Sequence, residues 1–492
     1  MRWRLARLMF GVVGALAGCS LAPTYKTPST APPPPSYREV GDWKQAEPAD
    51  AAVRGPWWSI YQDPALDALE NRVSASNQNL KAALARLEEA RAQTRIARAG
   101  YFPTVTADAN AARERQSVNS PTYNPLKPGI FNDFQLDGDF SYEIDVFGRV
   151  RNTVAAARSS QQASAADLAV LDLSTHAELA SDYFTLRSDD AQASLLDHTV
   201  ADYARALELT ENLYNGGAAP LSDLEQARAQ LDTAKTQAAD IRLRRAQTEH
   251  AIAFLIGEQA SNFHIDATPL PADVTPPAID PGLPSALLER RPDVASAERL
   301  VAAANARIGV ARAAYFPVFS LTAIAGFEST AVSNWISAPS RLWALGSTGA
   351  PNAAAGVLTV FDGGLHRAQS AYAHAAYDEQ VADYRGTVLT AYQEVEDNLA
   401  ALRELEKESV SEHAAVKATQ SALEQAQYRY QGGIVTYLEV VTEENASLSS
   451  QLSAADIQVR RLNASVLLVK ALGGSWENPL ATQTAAAARQ AP

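Results

Sequence analysis

Tyr214-Asn215-Gly216-Gly217 interrupts a stretch that otherwise reads as helix from Val150 to Gly257, and Tyr430-Gln431-Gly432-Gly433 repeats the interruption 216 residues later. The flanking sequence is Ala-rich and charge-laced, and its one proline, Pro220, stands where a new helix starts. Paired glycines end helices because the left-handed backbone that closes a helix is open to them, and proline fits the first helical turn. The two tetrads therefore predict two long helical hairpins. The same 216-residue shift carries Gly257 onto Gly473, so the repeat extends over whole hairpins.

Outward from the turns, the arms carry apolar residues at alternating spacings of three and four, as coiled-coil seams do. Leu224, Ala227, Leu231, Ala234, Ala238 and Ile241 form one seam; Val381, Tyr384, Val388, Ala391 and Val395 form another; Leu448, Leu452, Ala455, Val459, Leu462 and Val466 form a third. An arm from Arg149 to Tyr214 would extend roughly 100 Å at 1.5 Å per residue. A helix of that length is built to cross a space.

Ahead of each hairpin the period changes from about 3.6 to 2. Tyr101-Phe102-Pro103 and Tyr315-Phe316-Pro317 end helices, and alternation follows both. It is clearest where Phe134, Leu136, Phe140, Tyr142, Ile144 and Val146 alternate with Gln135, Asp137, Asp139, Glu143 and Asp145. Strands are expected near 104–111, 134–147, 319–327 and, less regularly, 352–361. Strands with one apolar and one charged face resemble those of transmembrane β-barrels; a soluble amphipathic sheet is the alternative. Four strands cannot close a barrel, because bacterial barrels begin at about eight and lipid tolerates no open edge. The chain is thus expected to assemble with copies of itself into one outer-membrane barrel with a helical tube beneath. Asp137, Asp139, Glu143 and Asp145 would give it a wet, acidic lumen.

The N-terminus predicts a signal peptide over 1–18: Arg2, Arg4 and Arg7, an apolar stretch from Leu8 to Ala17, then small residues before Cys19. About ten apolar residues are too few to span a bilayer. Leu16-Ala17-Gly18-Cys19 looks like a lipobox, making Cys19 the acceptor of a covalent lipid, and Cys19 is the only cysteine, so disulfides within the chain are excluded. With Ser20 after it, sorting to the outer membrane is expected. The net charge is −14, from 42 Lys and Arg against 56 Asp and Glu, and without a basic stripe it argues against nucleic-acid binding. The seven histidines form no His-Glu-x-x-His pattern, and the Gly-Gly pairs lack the Lys-Ser/Thr of a phosphate loop, so neither a metal nor a catalytic site is expected.

The domain reading is a signal peptide at 1–18 and a lipidated, extended, Pro-rich segment at 19–56. A first repeat covers 57–257, with strands at about 101–147 and a hairpin at 149–257. A connector at 258–284 leads to a second repeat at 285–474, with strands at about 315–361 and a hairpin at 363–474, and a flexible tail at 475–492. The fold class is mainly α, two duplicated helical hairpins with four β-strands per chain.

Taken together, the lipobox, the Tyr-Phe-Pro strand openers, Leu287-Leu288-Glu289-Arg290-Arg291-Pro292-Asp293-Val294, the Gly-Gly turns and Leu472-Gly473-Gly474-Ser475-Trp476 resemble the TolC-type outer-membrane factors, in particular the OprM/NodT-like efflux lipoproteins. The resemblance runs from Cys19 to about Trp476. It implies a homotrimer with a twelve-stranded barrel and a periplasmic α-helical tunnel. It also implies docking to a periplasmic adaptor (membrane fusion) protein and an inner-membrane resistance-nodulation-division pump, for export of drugs or other toxic small molecules by a passive conduit. The same architecture could export protein or polysaccharide, and a non-channel lipoprotein facing the periplasm is a further alternative. The resemblance places Gly216, Gly217, Gly432 and Gly433 at the periplasmic tip. Position by position it assigns Asp223, Tyr430 and Glu439 to the aperture, with Glu443 adjacent, whereas Val435 and Thr442 stand where the family has an arginine and a second aspartate.

Overall fold

In the computed structural model the chain runs α1 (Pro64–Ser76), α2 (Gln78–Ala99), β1 (Thr104–Arg115), β2 (Ile130–Ile144), α3 (Arg149–Asn215), α4 (Leu221–Leu255), α5 (Pro292–Ala313), β3 (Val318–Ser329), β4 (Arg341–Leu345), β5 (Ala354–Val357), α6 (Leu365–Gln431) and α7 (Tyr437–Ala471). The structure describes residues 20–30, 32, 34, 36–40, 56–115, 117–121, 124, 125, 129–279, 290–345 and 354–474. The signal peptide, Cys19, the end of the connector, Leu287 to Glu289 and the tail from Ser475 lie outside the described residues.

Both hairpins have arms of 67 and 35 residues. Each of the four arms ends in the same hydrogen-bond pattern, in which an amide reaches back five residues: Ala218 to the Leu213 carbonyl, Glu258 to Ala253, Ile434 to Arg429 and Gly474 to Val469. This closure requires one residue of positive φ, which Gly217 (71°) and Gly433 (69°) supply at the turns.

Contacts divide the chain into two compact units that cut across the sequence repeats. The first takes residues up to Ser29, Arg86–Ser164 and Ala297–Tyr384, and it holds the sheet. The strand order is β1-β2-β3-β4, all antiparallel, with β5 also on β3. The expected fourth strand at 352–361 is corrected here. It is an edge in two pieces, β4 ahead of the expected span and β5 within it. Leu345 faces Ala323 and Ala354 faces Leu321, so the two pieces pair with β3 at adjoining positions but are not consecutive in sequence. The break explains the weak alternation. Strand β2 also starts and ends earlier than its alternation indicated, leaving Asp145, Val146 and Phe147 outside. Segment 20–25 lies along this unit: Ser20 donates to Asn152 at 3.0 Å, Tyr25 to Glu298 at 2.6 Å, and Asn305 to the Pro23 carbonyl at 2.9 Å.

The second unit comprises Thr30–Ala85, Ala165–Ser296 and Arg385 onward. Its main core is opened by Asp63, whose side chain caps α1 by accepting from the Ala65 and Leu66 amides. Leu66, Leu69 and Val73, spaced three and four apart so that they share one helical face, pack with Trp57, Trp58, Leu179, Phe184, Ile252 and Leu462. Each such side chain contributes ~1.5–3 kcal/mol when fully buried. All six residues of the Leu224–Ile241 seam are buried, whereas Val381, Leu452 and Ala455 of the other seams are half-buried. Here too the extended segment is held: Glu396 accepts from the Arg38 and Glu39 amides at 2.8 and 2.9 Å, and Arg403 pairs with Glu39.

The Arg-Arg-Pro-Asp element acquires its reason at Arg291, which is 7% exposed. Its guanidinium binds both Asp293 oxygens (3.0 and 2.7 Å), Glu394 (2.6 Å) and the Ala471 carbonyl (2.9 Å). One cation thus ties the start of α5 to the middle of α6 and the end of α7. Lysine cannot reproduce this fork. Arg291→Ala and Arg291→Lys are both expected to destabilise the unit, the alanine by about 2–4 kcal/mol in denaturant unfolding. This is set about 1 kcal/mol below the range for broken buried pairs, because the Glu394 side chain is 42% exposed and screened.

Candidate functional site

Two regions gather the residues marked by the sequence. One is the polar face of the sheet. The register sets Asp108 opposite Asp137, Thr106 opposite Asp139 and Thr104 opposite Ser141. On the other flank Ser141 faces Thr322 and Glu143 faces Ser320. The polar face is therefore shared by three strands, with Ile324 its apolar exception opposite Asp139. Glu143 is held by both Arg149 nitrogens, at 2.8 and 2.5 Å. Asp145 does not belong to this face. It follows the last strand residue, accepts from the Val150 and Arg151 amides at 3.0 and 2.8 Å, and pairs with the Arg151 side chain at 3.1 Å. It is the anionic cap of α3, where the helix N-terminus favours negative charge. Asp362 does the same for α6, accepting from Gly364 and His366.

The other region is the pair of turns. Gly216-Gly217 and Gly432-Gly433 close α3 and α6, and the helices that start beyond them bring their first acids alongside. Tyr430 packs its ring 5.5 Å from Tyr437. Burial, then the field of Asp223, push the Tyr430 phenol above its ordinary pKa, while a hydrogen bond with Thr210 opposes them. Tyr430 and Asp223 are thus neighbours across the two hairpins. Glu439 forms an ion pair with Arg429, whose role the sequence did not signal. Glu443 is half-buried on α7. Beside the turns lies a groove of 620 Å³ lined by Pro220, Ser222, Asp223, Gln226, Thr436 and Leu438.

One arrangement resembles catalytic chemistry without supplying it. Ser74 Oγ lies 3.1 Å from His176 Nε2, and His176 Nδ1 lies 2.5 Å from Glu70. Yet Ser74 sits inside α1, where the backbone amides around it are bonded within the helix and none is free to hold an oxyanion. Burial pulls the His176 pKa down, but Asp172 and Glu70 outweigh it and raise it to about 9. The ring, stacked 4.5 Å from Trp58, is thus biased toward its protonated form, which is a poor acceptor for a serine proton. Among the described residues no group of three or more His, Cys, Asp or Glu is arranged to hold a metal ion. Among them, too, no helix is long and apolar enough to cross a membrane.

Known proteins share this architecture. The family described as outer membrane efflux protein matches over residues 69–258 and 283–474, and the chain belongs to that family. It is 32% identical over 472 residues to the toluene efflux pump outer membrane protein TtgC of Pseudomonas putida, covering 94% of this chain and 93% of that one. It is 31% identical over 463 residues to the outer membrane protein OprJ of Pseudomonas aeruginosa, covering 94% of each. The open-state structure of the Neisseria gonorrhoeae MtrE outer membrane channel superposes with a TM-score of 0.77 at 28% identity, covering 93% of this chain and 99% of that one.

The left-handed glycines at the turns offer a test. A Cβ at Gly217 or Gly433 would meet nothing within 4 Å, so alanine is opposed by backbone strain alone. Left-handed φ costs roughly 1–2 kcal/mol for an L-residue. Gly217→Ala and Gly433→Ala are each expected to speed amide exchange in the preceding helical turn by about 5- to 30-fold, measured by hydrogen–deuterium exchange, with no change around Arg291.

Proposed function

We propose that the chain is the outer-membrane conduit of an efflux system, assembled as a homotrimer whose sheets close into one twelve-stranded barrel. The observation that carries this reading is the state of the sheet edges. Strand β1 pairs only with β2, and β4 and β5 pair only with β3, so both edges of the described sheet are without a neighbour. Counting β4 and β5 as one interrupted strand, each chain offers four strand positions and three copies offer twelve. Val105, Trp343, Leu345 and Val357 on these edge strands are exposed large apolar side chains, suited to lipid or to a second copy. The polar face carrying Asp137, Asp139 and Glu143 would then line a wet lumen.

In this reading Cys19 carries the lipid that anchors the chain, and the helical hairpins stand in the periplasm with their turns toward the inner membrane. There Asp223, Tyr430, Glu439 and Glu443 border the aperture. The Arg429 partner offsets the charge of Glu439, so the acid ring is weaker than a bare carboxylate ring and depends on that pairing. A periplasmic adaptor (membrane fusion) protein and an inner-membrane resistance-nodulation-division pump complete the system, and the pump supplies the energy. The conduit needs no catalytic group or cofactor beyond the lipid. The cargo class is drugs or other toxic small molecules, in keeping with the toluene and antibiotic efflux named for relatives.

Deleting the gene should raise cellular accumulation of lipophilic dyes and antibiotics, and the wild-type chain should restore efflux. Accumulation that is unchanged by deletion of the gene, with every other outer-membrane channel of this family also deleted, would remove small-molecule efflux from the proposal.

A further inference from the structure

Below the turns, the helices of the two hairpins pack around a small core. Ala227 of α4, Ala426 of α6 and Tyr437, Val440 and Val441 of α7 form it, with Ala206 and Leu207 of α3 against them. One level further from the turns, Gln230 of α4 and Asn445 of α7 exchange amide hydrogen bonds at 2.9 and 3.3 Å. Next to Asn445 is Glu444. Unlike Glu439 and Glu443 it points inward: it is 9% exposed, and its Oε2 is fully buried with no hydrogen-bond donor. The position lies on the coiled-coil seam, since steps of four and three back from Leu448 pass through Glu444, Val441 and Tyr437. A carboxylate thus occupies a place the pattern reserves for an apolar side chain.

The charged and titratable groups around it are few. Asp202 of α3 bears on Glu444 with like charge, and Asp202 is itself exposed and paired with Arg205. The phenols of Tyr203 on α3 and Tyr437 on α7 feel Glu444, and burial raises both, Tyr203 to about 12, so neither ionises at cellular pH. Among the described residues no Lys, Arg or His bears on Glu444. Burial, with Asp202 second, lifts its carboxyl from 4.5 to about 7. A buried carboxyl with no cation beside it is stable when protonated and costly when ionised.

We propose that Glu444 is a proton-operated latch between the two hairpins: protonated, it lets α3 and α7 pack below the turns, and on losing its proton to solvent it drives them apart. The sign follows from the raised acid. The packed state binds this proton more tightly than a loosened, hydrated state does, so packing is fully favoured below about pH 4.5 and is lost as pH rises through about 7. One linked proton changes the packing equilibrium by up to about tenfold per pH unit within that window. The assignment of this segment to a channel aperture rests on the proposed function, and the test keeps the two separable.

The experiment compares the full-length wild-type chain with Glu444→Gln and with Glu443→Gln in detergent. Hydrogen–deuterium exchange of peptides covering residues 200–207 and 440–448, corrected for intrinsic rates, is read from about pH 5.5 to 8.5. Wild type and Glu443→Gln should both lose protection as pH rises, by about tenfold or more across the window, while Glu444→Gln stays protected. Should the glutamine variant fail to accumulate, Glu444→Met, uncharged and of similar length, takes its place and should give the same flat profile. An equal pH dependence in wild type and the Glu444 variant, or a flat wild-type profile, overturns the latch. Single-channel recording in planar bilayers reads the other premise. pH-dependent exchange in a chain that never conducts leaves the latch standing and overturns the channel, whereas conduction with pH-flat exchange overturns the latch alone.

Discussion

A peptide group in hydrocarbon has no water to bond, so a β-sheet that spans lipid must pair every strand, including the two at its ends. The sheet of this chain ends on β1 and on the two-piece strand β4 and β5, and neither has a further neighbour within the described chain. In the proposed barrel, several other features would serve that constraint. The wet and dry faces are kept in register across three strands, so a closed barrel would present one sign of polarity inward. At the end of β2, Asp145 turns the chain at once into α3, as Asp362 starts α6, so that strand ladders give way to self-satisfied helices.

The hairpins solve a different problem, that of long helices with little depth of core. Their seams bury alanine, leucine and valine in single file, and a few polar clamps fix the register: Arg291 across three helices, Glu396 on two amides of the extended N-terminal segment, Gln230 with Asn445 between hairpins. Near the turns the same economy places charges close together. Arg429 pairs with Glu439, whereas among the described residues Glu444 Oε2 has no hydrogen-bond donor. One acid has a cation beside it and the other, among the described residues, does not.

Much of this was legible in the sequence because it is periodic. The Gly-Gly tetrads, the 3-4 seams and the alternation of β2 each announce an element, and all six residues of the Leu224–Ile241 seam are buried. The outer membrane efflux family match agrees with the motifs quoted from both halves. What was not legible depends on contacts between distant segments. Asp145 has the alternation of a lumen residue and the hydrogen bonds of a helix cap, and only the place where β2 stops distinguishes them. The fourth strand was misplaced because its two pieces, both paired with β3, are separated in sequence. The division into compact units, which mixes both repeats, has no local signal at all. Glu444 is the instructive case, since its seam position is visible in the numbering, but its lack of a partner is visible only in three dimensions.

The claim that the sheet is completed by copies of the same chain is tested most directly by the mass of the complex extracted intact from the outer-membrane fraction. Native mass spectrometry of the detergent-released protein should give three chains, resistant to dissociation until heated. A single folded chain, in the membrane or in the soluble periplasm, would contradict the account, because its two strand edges would then need no partner.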